Sequence, residues 1–469
     1  MKTMKRLLLA LVLLVLCCTL AACQKKAEPA DAANTQTPME NTASATGNPD
    51  DVMLTMGDFT LTRAKYESYL KTLTDYYTNY GFDMTDEGML NSLKGFALQT
   101  GIEYGVMDLK LAELGLTLTE AEKEEVIANA RVEWESVVEE GLVYYGLTAE
   151  STEEERNNLT VSVLAELESM GYTAEAYIED AVTLAGYDRI YEYTSKDAVV
   201  SQEEVVAYYN SLVEADKAAY ENDAAAYEQA EYMNQMYVMY GMTDYAVPIY
   251  YKPAGYRQVT HILLEVDEEL LTAYTDLQAA YEEQQLAKEE GTEVTGEEVT
   301  ADEIENARLA ILASVQPKVD EINQRLAGGE SFAALIPEYT SDPGMNTAET
   351  AAIGYEVHMD SVNWATEFRD QAFTVSNIGD VTAPVVSDYG VHILQYVGDV
   401  PGGPVELTEE MEASFTTMLL SGKRDEMYYD TLQKWVEAID VVYSEEAKAI
   451  LADAEAANAA AAVEGEAAE

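Results

Sequence analysis

The sequence is short of cysteine, of basic residues and of histidine, and each shortage removes a class of chemistry. Its three cysteines, Cys17, Cys18 and Cys23, all stand near the start. Beyond them no disulfide, thiol nucleophile or cysteine-based metal site can be built, so stability has to come from burial. Lysine and arginine number 27 against 87 aspartates and glutamates, a formal charge of −60. A polyanion of this kind repels nucleic acid and anionic headgroups, and no nucleic-acid partner is expected. The charge suits attraction for basic, unfolded chains; it equally suits a surface kept soluble in a crowded exterior. The three histidines are His261, His358 and His392. No His-x-x-x-His spacing joins them, so neither a metal nor another cofactor is expected. No fixed-period repeat marks a solenoid.

What the opening residues do have is a basic start at Lys2, Lys5 and Arg6, an apolar stretch from Leu7 to Leu16, and small residues before Cys23. Residues 1–22 read as a signal peptide. Leu20-Ala21-Ala22-Cys23 resembles the lipobox of bacterial lipoproteins, which implies cleavage before Cys23 and diacylglyceryl modification of its thiol. A buried methylene contributes about 0.8 kcal/mol and one acyl chain holds only marginally, so two or three chains give durable anchoring. The expected location is the extracytoplasmic face of the cell membrane, tethered by lipid. Residues 23–51 hold hardly a large apolar side chain and read as a flexible tether.

From residue 52 to 255 the pattern is mostly helical. Val52 to Phe59 reads as a short strand and Thr60 as a helix cap; Thr119 with Glu122 and Ser201 with Glu204 form capping boxes. Gly115, Gly141, Gly146 and Gly171 punctuate the periodic stretches. Glu231 to Tyr251 is dense in methionine and tyrosine, which suits either adaptable binding or burial against a neighbour. Residues 256–400 hold all three histidines and form a separate domain, interrupted by an insertion at about 266–300. There Leu270, Tyr274, Leu277 and Tyr281 recur at helical spacing, and a turn at Gly291 to Glu298 makes a projecting helical hairpin. Residues 401–447 return to helix, and 448–469 form an Ala/Glu-rich tail, helical or frayed.

Within the histidine-bearing segment, Val259, His261 and Leu263 share one face of a strand and Thr260, Ile262 and Leu264 the other. Gly390, His392 and Leu394 alternate in the same way with Val391, Ile393 and Gln395. If the two strands pair, the imidazoles meet. Around them stand, in order, His261-Ile262-Leu263, a helix through Val319, Ile322 and Leu326 that closes on Gly328-Gly329-Glu330-Ser331-Phe332, and Tyr339-Thr340-Ser341-Asp342. They are followed by Glu367 to Phe373, Gly379 to Val385, and Tyr389 to Leu394.

This series resembles the parvulin family of peptidyl-prolyl isomerases, and with the lipobox and flanking helices the chain is similar to PrsA-type foldase lipoproteins and SurA-type chaperones. The resemblance implies an α+β chain. A mainly helical chaperone module, made of the N-terminal region and the C-terminal helix, carries an inserted parvulin domain with a small antiparallel sheet flanked by helices. It implies a catalytic set of His261, Asp342, His392 and Ser387, and substrate contacts at Phe368, Met359, Trp364 and Phe373. The implied partners are unfolded or newly exported proteins containing proline. The sequence departs from the family at Thr350-Ala351-Ala352-Ile353-Gly354, where a Gly-Gly-Asp-Leu-Gly turn is usual, and His358 matches no family position and reads as a surface or loop residue. A client-binding chaperone with a decayed isomerase is the alternative that this departure favours. A two-lobed solute-binding lipoprotein is the third reading, and the long helical run before Tyr209 speaks against it.

Overall fold

The computed structural model describes residues 47–170, 172–292 and 298–466. The signal peptide, Cys23, the tether up to residue 46, Gly171, the middle of the turn after Gly291 and the last residues of the tail lie outside the described residues. In chain order the elements begin with β1 (Val52–Met56), β2 (Phe59–Thr62), α1 (Arg63–Asn79), α2 (Glu87–Glu113), α3 (Glu120–Tyr144), α4 (Glu153–Ser169) and α5 (Ala174–Ser195). Next come α6 (Gln202–Tyr220), α7 (Ala224–Met239), β3 (Tyr251–Lys252), β4 (Arg257–Leu264), α8 (Glu268–Glu290), α9 (Ala301–Ala327), α10 (Phe332–Tyr339) and α11 (Ala348–Ile353). They are followed by β5 (Tyr355–Val357), α12 (Thr366–Ala372), β6 (Val385–Ser387), β7 (Gly390–Asp399) and β8 (Gly403–Pro404). The chain closes with α13 (Glu409–Ala438), β9 (Val442–Tyr443) and α14 (Glu445–Glu466). It is an α+β chain, mostly helical with small antiparallel sheets.

Two compact units emerge. One combines the described residues up to Val199 with those from Met418 onward, and the other is the intervening stretch Val200–Thr417. The region around the sheet is thus an insertion in a helical unit, as the fold class implied. The division falls at Val199 rather than near residue 255, because α6 and α7 pack with the inserted unit. There the Tyr209 hydroxyl donates to the Val405 carbonyl, the Tyr250 amide donates to Asp216, and β3 pairs with β8.

In the helical unit β1 lies between β2 and β9. The single strand expected from Val52 to Phe59 is a hairpin, because Gly57 adopts a positive φ of 51° and reverses the chain; the helix then starts two residues later than expected, capped by Thr62. Met53, Leu54, Met56 and Leu61 are fully buried against Leu93, Ala97, Leu98, Ile102 and Val106 of α2. The close seating needs small residues on α2. A Cβ at Gly101 would meet the Leu61 methyls, and one at Gly105 would collide with the Met56 methyl and the Phe59 ring. Both named capping boxes form, and Thr152 with Glu155 and Thr300 with Glu303 add two more.

In the inserted unit a four-stranded antiparallel sheet runs in the order β5-β4-β7-β6. One face is covered by α9 and α10: Ile262, Leu264, Val391 and Ile393 bury against Ile311, Val315, Val319, Ile322, Phe332 and Leu335. The expected helical hairpin takes a different form. Its first arm is α8, but its second is α9, a single helix that runs through Pro317 and continues into the stretch closing on Gly328. Tyr274 of α8 is buried in the same core, so the insertion is packed into the domain.

Gly105→Val should force the hairpin off α2 and lower stability by about 2 kcal/mol, whereas Gly422→Ala, a helical site with open space around a new Cβ, should raise it by about 0.5 kcal/mol. Thermal melting followed by circular dichroism checks both. An unchanged midpoint for Gly105→Val would contradict the close seating.

Candidate functional site

The register of β4 on β7 sets the site. His261 lies opposite Leu394 and Leu263 opposite His392. Side chains two apart share a face, so the histidines become diagonal neighbours on the side of the sheet away from α9 and α10. Their rings lie at 5.3 Å between centroids and nearly parallel, and Nδ1 of one is 3.2 Å from Nδ1 of the other. Both are buried, with 3% and 5% exposure. Such groups need partners for every polar atom.

Those partners form one line. His261 Nε2 is 2.7 Å from Oδ2 of Asp342, and His392 Nε2 is 2.6 Å from the Ser387 hydroxyl, which also accepts the Tyr389 amide at 3.1 Å. An ionised Asp342 can only accept. His261 therefore donates from Nε2, one proton lies between the two Nδ1 atoms, and the Ser387 hydroxyl pairs with His392 Nε2. Burial keeps the His392 ring neutral at neutral pH. His358 takes no part. Its ring is half-buried on Tyr256 at 5.0 Å, and its Nδ1 accepts the Asp360 amide, so it is a packed loop residue and not a surface one.

Local structure holds each member in place. The Thr340 hydroxyl accepts the amides of Leu263 and Asp342, and Ser341 donates its amide to the Leu263 carbonyl, which stitches the loop carrying Asp342 to the end of β4. Ser387 ends β6 and faces Gly390 across a tight connection to β7. Phe368, on α12, is buried and points its ring edge-on to both imidazoles at 5.1 and 5.2 Å. Trp364 stacks on Phe368 at 5.2 Å and donates its indole N–H to the Glu356 carbonyl.

Two of the expected substrate contacts stand elsewhere. Phe373 packs at the margin of the Phe368 cluster and carries the Arg257 guanidinium on its face at 4.7 Å. Met359 is exposed in the turn after β5, outside that cluster. Sequence reasoning missed Tyr355. Its hydroxyl donates to Asp342 Oδ2 at 2.9 Å while its ring lies against His261 and Trp364. The signal for it was its place directly after Gly354. That glycine has a φ of +85°, and a Cβ there would stand 2.6 Å from the Val259 carbonyl oxygen. The other residues of the departed turn form α11, capped by Thr347, and the Thr350 hydroxyl donates to the Gly344 carbonyl at 2.6 Å. The last glycine is thus the one the backbone demands.

The electrostatics follow from burial and the line of hydrogen bonds. The His261 hydrogen bond holds the Asp342 carboxyl well below the usual range against the effect of burial, with the Tyr355 hydroxyl and Gly344 amide adding to it. Burial first and the neighbouring His261 second push His392 down to about 3, while Asp342 acts in the opposite sense. Burial and then Asp342 push the Tyr355 phenol up. Of the four residues in line, Asp342 is the acidic one and keeps 20% of its side chain open to solvent. At neutral pH the arrangement therefore presents one fixed carboxylate beside an apolar wall of Tyr355, Trp364 and Phe368.

Residues 299–397 match the family of the PPIC-type PPIASE domain, or rotamase. The match includes Asp342, Phe368, Ser387 and His392 and begins after His261. Over 126 residues the chain is 32% identical to foldase protein PrsA 2 of Listeria monocytogenes, covering 26% of this chain and 40% of that protein. Over 130 residues it is 28% identical to foldase protein PrsA of Caldanaerobacter subterraneus, covering 27% of this chain and 39% of that protein. The chain thus spans about two fifths of the length of these curated relatives. The solved peptidylprolyl isomerase PrsA of Bacillus anthracis aligns over 72% of this chain and 95% of its own at 14% identity, with a TM-score of 0.18, too weak a superposition to argue from.

A histidine that stays neutral in the fold and ionises near pH 6.5 when unfolded costs stability as the pH falls. Between about pH 6.5 and 3 the unfolded chain binds a proton at His392 that the folded chain refuses, so the loss begins below pH 6.5 and is absent above it. The lowered Asp342 acts lower still: its contribution holds above its ordinary value of 3.8 and fades below it. Denaturant unfolding of wild type and His392→Asn should therefore give a stability difference that shrinks on going from pH 7 to pH 4.5, by on the order of 1 kcal/mol per pH unit. Taking the difference cancels the titration of the many surface carboxylates. A difference that does not change with pH would contradict the buried neutral imidazole.

Proposed function

From a chain that carries a parvulin-type, PpiC-like domain of the PrsA foldase kind, we propose a membrane-anchored foldase that turns X-Pro bonds in exported proteins outside the cytoplasmic membrane. Support comes chiefly from the hydrogen-bonded line Asp342-His261-His392-Ser387, which ends in a fixed, partly open carboxylate at an apolar wall. The anchor would be lipid on Cys23. No helix among the described residues is long and apolar enough to cross a membrane. The helical unit would hold unfolded clients while the inserted unit acts on their prolines.

The chemistry fits what these residues supply. Rotation about a prolyl amide breaks resonance against a barrier of roughly 18–20 kcal/mol, with no bond to a heavy atom cleaved. Planar resonance places negative charge on the carbonyl oxygen. The Asp342 carboxylate, seated near that oxygen, would disfavour the planar form and favour the twisted one. The pyrrolidine ring would lie against Trp364 with Phe368 beneath. His261 and His392 are too deeply buried to meet the peptide, so they would act as positioning residues through Asp342. Ser387 would fix the far end of the line. About four decades in rate require only about 5.5 kcal/mol, within reach of such electrostatic preorganisation. No cofactor is needed.

A proline-peptide isomerisation assay tests this. Asp342→Ala should lower kcat/KM about a hundredfold and His261→Ala at least about tenfold, with no change in the circular dichroism spectrum. A wild-type rate indistinguishable from buffer, with aggregation of an unfolded protein still suppressed, would instead establish the client-binding chaperone with a silent isomerase domain.

A further inference from the structure

Helix α7 and the 3-10 turn after it, Thr243–Tyr245, carry a surface that the reading above leaves unused. Tyr232, Val238, Met239, Tyr240, Tyr245 and Val247 are between 54% and 70% exposed. This is a dense run of large apolar groups facing water. The run is also built. Asn234 donates its side-chain amide to the Val247 carbonyl at 2.7 Å and accepts the Val247 amide at 2.9 Å. That pair folds the returning segment back onto the helix and holds the aromatic and thioether side chains on one projecting arm, where Tyr237 and Tyr245 pack at 6.0 Å.

The root of the arm is fixed to the loop that leads into the candidate site. Glu228, 6% exposed, accepts from the Tyr256 hydroxyl at 3.2 Å, from the Ser361 hydroxyl, and from the Val362 amide at 3.0 Å. Val362 and Met359 on that loop are themselves 63% and 46% exposed, and Trp364 follows two residues after Val362. Glu228 thus ties the helix that bears the arm to the loop that leads to Trp364. No basic residue or histidine lies between Lys217 and Lys252, whereas Glu221, Asp223, Glu228, Glu231 and Asp244 do.

We propose that this Met/Tyr arm, residues 232–247, is a docking surface for extended polypeptide in which apolar and basic side chains mix, delivering its prolines to the candidate site beyond the Ser361–Trp364 loop. Methionine and tyrosine adapt to varied apolar sequences, and the local excess of carboxylates selects basic ones. A second copy of the chain is disfavoured as the occupant by the −60 charge that each copy carries. The delivery step rests on the prolyl-isomerase reading; the docking step does not.

Met239→Ser combined with Tyr240→Ser alters two exposed side chains and leaves Asn234 and Glu228 intact. The binding probe is a short fluorescein-labelled peptide of Leu, Phe and Lys around one proline, followed by anisotropy, with a Glu-for-Lys counterpart. The double variant should bind the Lys peptide about five-fold more weakly than wild type, and wild type should bind the Glu peptide more weakly than the Lys peptide at low salt. In the catalytic arm, KM for an unfolded proline-containing protein should rise about five-fold with kcat unchanged, while a tetrapeptide is turned over equally by both proteins. Equal peptide affinity in wild type and variant would overturn the proposal. So would sedimentation showing that the substitutions abolish a homodimer and leave peptide binding intact. Wild type that binds the peptide through the arm yet turns over no tetrapeptide would refute isomerisation while upholding docking.

Discussion

Two imidazoles share a buried face of one small sheet, and everything around them answers the demand that none of their four ring nitrogens be left without a partner. Strand register creates the demand, since the offset of β4 on β7 makes His261 and His392 diagonal neighbours. The loop stitched to β4 meets it at one end with Asp342 and the β6–β7 connection at the other with Ser387. A half-satisfied buried network is worse than an apolar core. The line is therefore complete, and a carboxylate that can only accept makes His261 a donor at Nε2.

Much of this was legible in the sequence. Period-two alternation assigned both histidines to strand faces, and the resemblance to parvulins implied Asp342, Phe368 and Ser387 beside them. What stayed hidden depends on loop paths that no periodicity encodes. Tyr355 reaches Asp342 because Gly354 turns the chain where a Cβ would strike the Val259 carbonyl, and that contact exists only in three dimensions. Phe373 was grouped with the pocket by its motif, yet it follows the last residue of α12 and turns its face to Arg257. The departed turn also has a physical explanation. Alanine-rich Thr350-Ala351-Ala352 with a threonine cap favours a helical turn where a glycine pair would have stayed open.

The same contrast holds at the level of units. Capping boxes located helix starts well, because the reciprocal hydrogen bonds are local. The division between units was not visible at Val199, since α6 and α7 look like the helices before them and differ in what they pack against. The buried Glu228 is the clearest case: in sequence it is one more acid among 87 acidic residues, and in the fold it ties a helix to the loop beside Trp364.

The sheet order β2-β1-β9 sets a sequence of events for a chain made from its N-terminus. Strand β1 begins at Val52, but its outer neighbour, Val442–Tyr443, emerges some way after β8. The helical unit must wait for that strand, whereas the described strands of the inserted unit lie between Tyr251 and Pro404 and are available earlier. The inserted unit can therefore be complete while the unit that encloses it in sequence is still open along one edge.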